Sequence, residues 1–371
     1  MLSPLDDYPV HQAAVPMAHP ATSDRNFYDR YYFNCHGSDD RLMLIAGMGQ
    51  YPNLGVADAF VLVRHGDTQQ AVRASKELGA DRRDTTVGPI RVEVLEPLRR
   101  LRLVCEPNEW GLDCDLRWEG EIPAVEEPHH LWRQHGRVVL DAARLALTGR
   151  WTGHINAAGQ RFDVTPDRWR GSRDRSWGIR PVGEPEPPGR AAAEEPAGFF
   201  WIYCPMSFEG FSILTIVQEE TDGTRVLEEA VRVWPEHTGR PLEQLSRPEY
   251  ELTFLPGTRS VERATLHLRE TDGSPLAVHV VSSLAVVIGL GGGYGLEADW
   301  RHGMYQGPLL VEGVTFDLAD PSVQARFFGV VDTVARATVE GGRSGVAGAV
   351  GRGLFEYAVI GPHHPTGHHG W

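Results

Sequence analysis

The sequence predicts an all-β protein built of two barrel-like domains. Three observations carry this. Apolar and polar residues alternate with period two in many short runs, which places one face of each run in a core and one in water. Turn-forming dipeptides separate those runs. With 41 glycines and 26 prolines in 371 residues, the chain has many turns and few segments with a sustained helical period.

The elements follow in order. "GLDCDLRWEG" alternates Leu112, Cys114, Leu116 and Trp118 with Asp113, Asp115, Arg117 and Glu119. Further strands are read over Arg91–Leu95, Leu98–Cys105, Phe199–Tyr203, Phe211–Glu219, Arg225–Trp234, Tyr250–Leu255, Arg263–Glu270 and Val330–Val339. Turns are read at "AAG" (157–159), "TDGT" (221–224), "PGT" (256–258) and "TDGS" (271–274). Short helices are expected near Lys76 ("KELGADRR") and Pro241 ("PLEQLSR"). "PVGEPEPPGRAAAEEPAG", rich in Pro, Glu and Ala, reads as an exposed connection.

These features divide the chain into an N-terminal extension (1–24), a first β domain (25–180), a linker (181–198), a second β domain (199–362) and a His-rich tail (363–371). "WTGHINAAGQRFD" (151–163) aligns with "YQGPLLVEGVTFD" (305–317), matching an opening aromatic, two glycines and a closing Phe-Asp. This reads as a repeated hairpin in a duplicated unit. Antiparallel domains bury their edges best by closure, and small barrels hold one apolar ligand. The predicted architecture is therefore two lipocalin-like (calycin-type) β-barrels packed side by side.

Composition excludes several functions. The net charge is −14, which argues against nucleic acid and anionic membrane surfaces as partners. "SPLAVHVVSSLAVVIGLGGGYGL" (274–296) is long enough to suggest a spanning helix, but it is β-branched and ends in glycines. It reads as a buried strand and a turn, with no stable membrane insertion. The N-terminus has neither the basic nor the apolar region of a signal peptide, so a cytoplasmic protein is expected. Cys35, Cys105, Cys114 and Cys204 form no CxxC pair and are expected reduced and buried, with Cys105 and Cys114 facing each other across adjacent strands.

No GxSxG, HExxH or Walker sequence occurs. "GLGGGYG" (289–295) has the wrong spacing for a dinucleotide loop and reads as a turn. "GPHHPTGHHGW" carries His363, His364, His368 and His369, but its glycines and prolines would not fix ligand geometry, so it is expected to be a solvated tail. Neither a metal nor any other cofactor is expected.

"GHINAAGQRF" (153–162) followed by "RWRGSRDRSWGIR" (168–180) resembles the segment that ends the first domain in the carotenoid 1,2-hydratase (hydroxyneurosporene synthase) and AttH-like family. That family shows a G-x-I-x-x-x-G-x-x-[YF] hairpin and then W-x-D-H-x-W-G. Asp174 and Trp177-Gly178 match, and Arg175 stands where the family has histidine. In the C-terminal half the resemblance rests on the β pattern and "DWRHGMYQG" (299–307). It implies paired lipocalin-like domains with an apolar cavity between or inside them. It also implies relatives that hydrate isoprenoid double bonds or shape polyenes for cyclisation.

Protonating a trisubstituted alkene needs a carboxylic acid kept neutral by apolar surroundings, with an aromatic face to stabilise the cation. Asp174, between Trp169 and Trp177 in sequence, is one candidate. Its flanking arginines would point away in an extended strand, leaving Arg170 and Arg180 as ion-pair partners in the structural alternative. His302 is a candidate base that Asp299 would orient. Glu312 and Glu356 sit in apolar runs, where a carboxylate is raised in pKa or paired with arginine. The candidate catalytic residues are Asp174, His302 and Glu356, and the candidate substrate-binding residues are Trp169, Trp177, Trp300, Tyr305 and Arg180. The expected function is a cofactor-independent hydratase, isomerase or cyclase acting on an apolar terpenoid- or polyketide-like molecule in a cavity between the domains. A non-catalytic isoprenoid carrier and a β scaffold are the alternatives.

Overall fold

The computed structural model describes residues 18–187, 189, 198–295, 297–343 and 346–370. Most of the predicted N-terminal extension and the centre of the predicted linker lie outside the described residues. Strands dominate, and the one α-helix among the described residues spans only Pro321–Gln324. No helix among the described residues is long and apolar enough to cross a membrane.

The first unit opens with four long strands, β1 (Phe27–Gly37), β2 (Leu42–Tyr51), β3 (Val56–His65) and β4 (Thr68–Glu77). Shorter strands follow: β5 (Thr86–Val87), β6 (Ile90–Glu96), β7 (Arg100–Cys105), β8 (Asp113–Gly120), β9 (Val125–Glu126) and β10 (His130–Gln134). Then come β11 (Arg137–Ala157), β12 (Gln160–Val164) and β13 (Trp169–Ile179). The second unit holds β14 (Phe199–Phe208), β15 (Phe211–Glu219), β16 (Arg225–Val233), β17 (Glu243–Gln244), β18 (Glu249–Phe254), β19 (Val261–Arg269) and β20 (Pro275–Val287). The chain then returns to the first unit for β21 (Leu309–Asp317) and ends in the second with β22 (Val330–Gly341) and β23 (Val350–Ile360).

Each unit is one curled antiparallel sheet. The first has 14 strands and runs β21-β4-β3-β2-β1-β13-β11-β8-β7-β6-β5, with β9, β10 and β12 all pairing β11. The second has nine, in the order β17-β16-β15-β14-β23-β22-β20-β19-β18. Among the described residues the first unit comprises 18–120, 124–187, 189 and 288–327, and the others form the second.

Alternation fixes the faces. In the second unit Phe200, Ile202, Cys204 and Met206 of β14 join Phe355, Tyr357 and Val359 of β23 in one core. Trp201 and Tyr203 take the opposite face, as period two requires. Turns fall where glycine allows positive φ: Gly159 (φ 70), Gly223 (φ 88), Gly257 (φ 72) and Gly273 (φ 86).

The helices expected near Lys76 and Pro241 do not form. Lys76 is the penultimate residue of β4, and β17 follows Pro241. These stretches are too short to nucleate a helix against an available strand partner. The repeated hairpin is also corrected. Residues 153–164 do form the β11–β12 hairpin, whereas 309–317 form the single strand β21, paired along its length with β4. Gly313 there is no turn residue: a Cβ at that position would stand 2.2 Å from Trp110 Cγ, so the glycine makes room for the indole.

All four cysteines are free and buried, and Cys105 and Cys114 are directly opposite across β7 and β8. Burial pushes the Cys105 thiol up to about 12 and holds Cys35 and Cys114 well above the usual range, so none offers a thiolate.

Candidate functional site: paired carboxylates and a buried arginine-histidine contact

The "WRGSRDRSWGIRP" stretch is β13, with β1 on one side and β11 on the other. Its register has no bulge against β1, so odd and even residues part cleanly. Asp174 lies abreast of Tyr32 and Ala146 and is half-buried. Arg173 and Arg175 face the other way, as expected for neighbours in a strand. Arg175 is fully buried; its Nη2 meets Asp29 Oδ1 at 2.7 Å and its guanidinium lies 4.1 Å from the Tyr31 ring centroid. Arg82 joins the same carboxylate at 3.7 Å. Arg175, which stands where the resembled motif has histidine, is thus part of a buried ion pair.

The same alternation corrects the expectation that Trp169 and Trp177 flank the Asp174 carboxyl. Both tryptophans are odd-numbered and share the face of Arg175. Trp169 is buried beside Gly37, and Trp177 is half-buried opposite Asp29. The aromatic residue directly opposite Asp174 is Tyr32, which sequence proximity could not reveal.

A second cluster in the first unit joins His302 to Arg180. Arg180 Nη2 donates to His302 Nδ1 at 2.7 Å, and the His302 Nε2–H donates to the Gly292 carbonyl at 2.7 Å. His302 stacks on Phe60 and meets Tyr294 edge-on. Burial, then Arg30 and Arg180, hold its imidazole well below the usual histidine range, so the ring is neutral. Asp299 does not orient it: Asp299 is exposed and its carbonyl accepts from Gln306. The glycine turn of 289–295 lets the backbone approach, since a Cβ at Gly293 would stand 2.8 Å from the His302 ring.

Alongside, Arg30 Nη1 donates to the Tyr51 hydroxyl at 2.5 Å and to Asp58 Oδ1 at 2.8 Å, while Asp58 Oδ2 accepts the Gly303 N–H at 2.7 Å. Trp300 is buried under the Arg73 guanidinium at 4.6 Å, and Arg73 pairs with Glu297 and Glu312, each at 2.7 Å. Tyr305, by contrast, is 55% exposed, with its hydroxyl on Glu77.

In the second unit Glu356 sits mid-strand in β23, half-buried, on the face opposite the core and shared with the fully buried Leu354. Tyr203 of β14 is directly opposite it on one side and Asp332 of β22 on the other. Directly opposed residues have Cα atoms about 4.5–5.5 Å apart. Asp332 is fully buried and Tyr203 is 2% exposed. Trp201 Nε1 donates to Glu356 Oε1 at 2.5 Å. Phe199, Trp201 and Tyr203 stack in a row along β14, with centroids 6.1 and 6.4 Å apart. Asp332, Trp201 and Tyr203 were missed by the sequence reading. The one local sign was an aspartate inside the apolar run "GVVDTVA".

The predicted solvated tail is instead docked. His363 is 1% exposed, stacks on Phe200 at 4.1 Å, and its Nε2 lies 2.9 Å from Glu219 Oε2. Tyr250 donates to the same oxygen at 2.6 Å. Among the described residues no group of three or more His, Cys, Asp or Glu is placed to hold a metal.

The fold, two curled antiparallel sheets in one chain, is that of AttH-like proteins. A crystal structure of an AttH-like protein from Nitrosomonas europaea superposes with a TM-score of 0.51 at 13% identity, covering 96% of this chain and 99% of that one. Kievitone hydratase from Nectria haematococca gives 0.49 at 10% identity, covering 95% and 97%. CghA, crystallised with Sch210972, gives 0.47 at 10% identity, covering 95% of each chain. The chain belongs to a family of unknown function, DUF8625, whose model matches residues 2–369. No curated protein matches the sequence.

Proposed function

We propose that the protein is a cofactor-independent enzyme acting by acid–base chemistry on a small, largely apolar molecule, with Glu356 and Asp332 as the reacting carboxyl groups. The observation that supports this is their direct opposition on one sheet face, beside the stacked Phe199–Trp201–Tyr203 row. Like charges directly opposed on one sheet face repel when both are ionised, and the reading requires one of the two carboxyls to hold a proton. The protonated member donates to an alkene or enol carbon. The ionised member accepts a proton from water, giving hydration, or from a neighbouring carbon, giving isomerisation or cyclisation. The indole and phenol faces stabilise cationic charge that develops in between. Asp174, beside Tyr32, is a further carboxyl to test. His302, neutral and bonded at both nitrogens, is assigned a positioning role toward Arg180.

The test is to purify wild type, Glu356→Gln and Asp332→Asn from the native cells and to compare co-purifying apolar molecules by native mass spectrometry. A molecule that accumulates chemically altered between wild type and both variants supports the reading. The same unaltered molecule in all three makes the protein a carrier, and no bound molecule in any of them removes both readings.

A further inference from the structure

Arg180 is held in one orientation without a carboxylate. Its Nη2 is fixed by the lone pair of a neutral, buried histidine, and the Tyr28 ring lies 4.7 Å from its Cζ. No described Asp or Glu is within ion-pair distance of it, and its buried Nε–H has no hydrogen-bond acceptor. The nearby Arg30 is neutralised by Asp58 at 2.8 Å. Arg30, Arg180 and Asp58 therefore sum to one net positive charge, since His302 is neutral. The residue as a whole is half-buried. The surroundings are apolar: Tyr28, Tyr51, Val56, Ala142 and Val182 pack together with Leu54.

A guanidinium that lacks a counterion, in a chain of net charge −14, is costly to fix in place unless an anion completes it. We propose that Arg180, positioned by His302, binds the carboxylate of a small apolar acid. A single unmatched charge suits a monoanion better than a phosphate dianion, and the planar fork matches a carboxylate's two oxygens. Tyr28 and the apolar cluster around it suit a hydrocarbon chain. The site lies in the first unit and stands whether or not Glu356 and Asp332 act on a substrate.

The test follows the Nε–Hε resonance of Arg180 by nitrogen-15 NMR in the full chain, assigned through its contact with the Tyr28 ring. Sodium butyrate and inorganic phosphate are titrated separately at constant ionic strength, against sodium chloride. The expected result is a saturable shift with butyrate, tighter than with phosphate. Thermal unfolding of Arg180→Lys, which keeps the charge and loses the fork, then shows butyrate stabilisation weakened at least tenfold in apparent affinity. A linear shift indistinguishable from chloride overturns the site. Phosphate binding as tight as butyrate overturns the carboxylate assignment, and unchanged butyrate stabilisation in Arg180→Lys moves the anion elsewhere.

Discussion

Removing the titration of His302 tests the neutral Arg180–His302 contact most directly. In the folded protein burial and two guanidiniums keep this imidazole unprotonated well below its ordinary range. In the unfolded chain it titrates near about 6.5. Between those values the unfolded state binds one more proton than the folded state, so this group's contribution is present above the unfolded pKa and is lost as pH falls. The slope approaches about 1.4 kcal/mol per pH unit below the unfolded pKa for as long as the folded imidazole stays neutral. Charging the ring would also remove the acceptor for Arg180 Nη2. The assay is urea denaturation of wild type and His302→Gln at half-unit steps from pH 4.5 to 8. Glutamine does not titrate, so its curve should lack the loss that wild type shows below pH 6.5. His368, also held low, first by burial, is present in both proteins and cancels. Parallel curves for the two proteins would refute a neutral, buried His302.

Further outcomes follow from named contacts. Glu356→Gln and Asp332→Asn are each expected to fold and to lower turnover of an identified substrate by roughly 10²-fold or more; circular dichroism separates this from unfolding. Asp174→Asn, if Asp174 is not the acid, leaves that turnover within a few fold. Glu270→Gln weakens a site that takes Arg232 Nη1 at 2.6 Å and Arg343 Nε at 2.5 Å, with Arg232 only 2% exposed, and should cost about 3–5 kcal/mol by urea denaturation. Gly313→Ala forces a Cβ into the Trp110 indole and should cost about 1–3 kcal/mol, read the same way, with a shift in Trp110 fluorescence.

The sequence by itself determined the local pieces. Period-two alternation located the strands around Cys114, Phe211, Arg225 and Arg263, and Asp-Gly and Pro-Gly pairs located the turns, because side-chain direction and positive φ are set within a few residues. It also set Arg173 and Arg175 on the face away from Asp174. It could not say that both tryptophans of that motif leave Asp174's face as well, because sequence closeness was read as spatial closeness. Strand partnership was decided only in the tertiary structure. Asp332 meets Glu356, Asp29 meets Arg175, and Arg180 meets His302 across 122 residues. Residues 288–327 leave the second sheet to complete the first. Register is fixed by which faces become buried together, a property of the whole sheet, and it is register that brings isolated acids and arginines into a site.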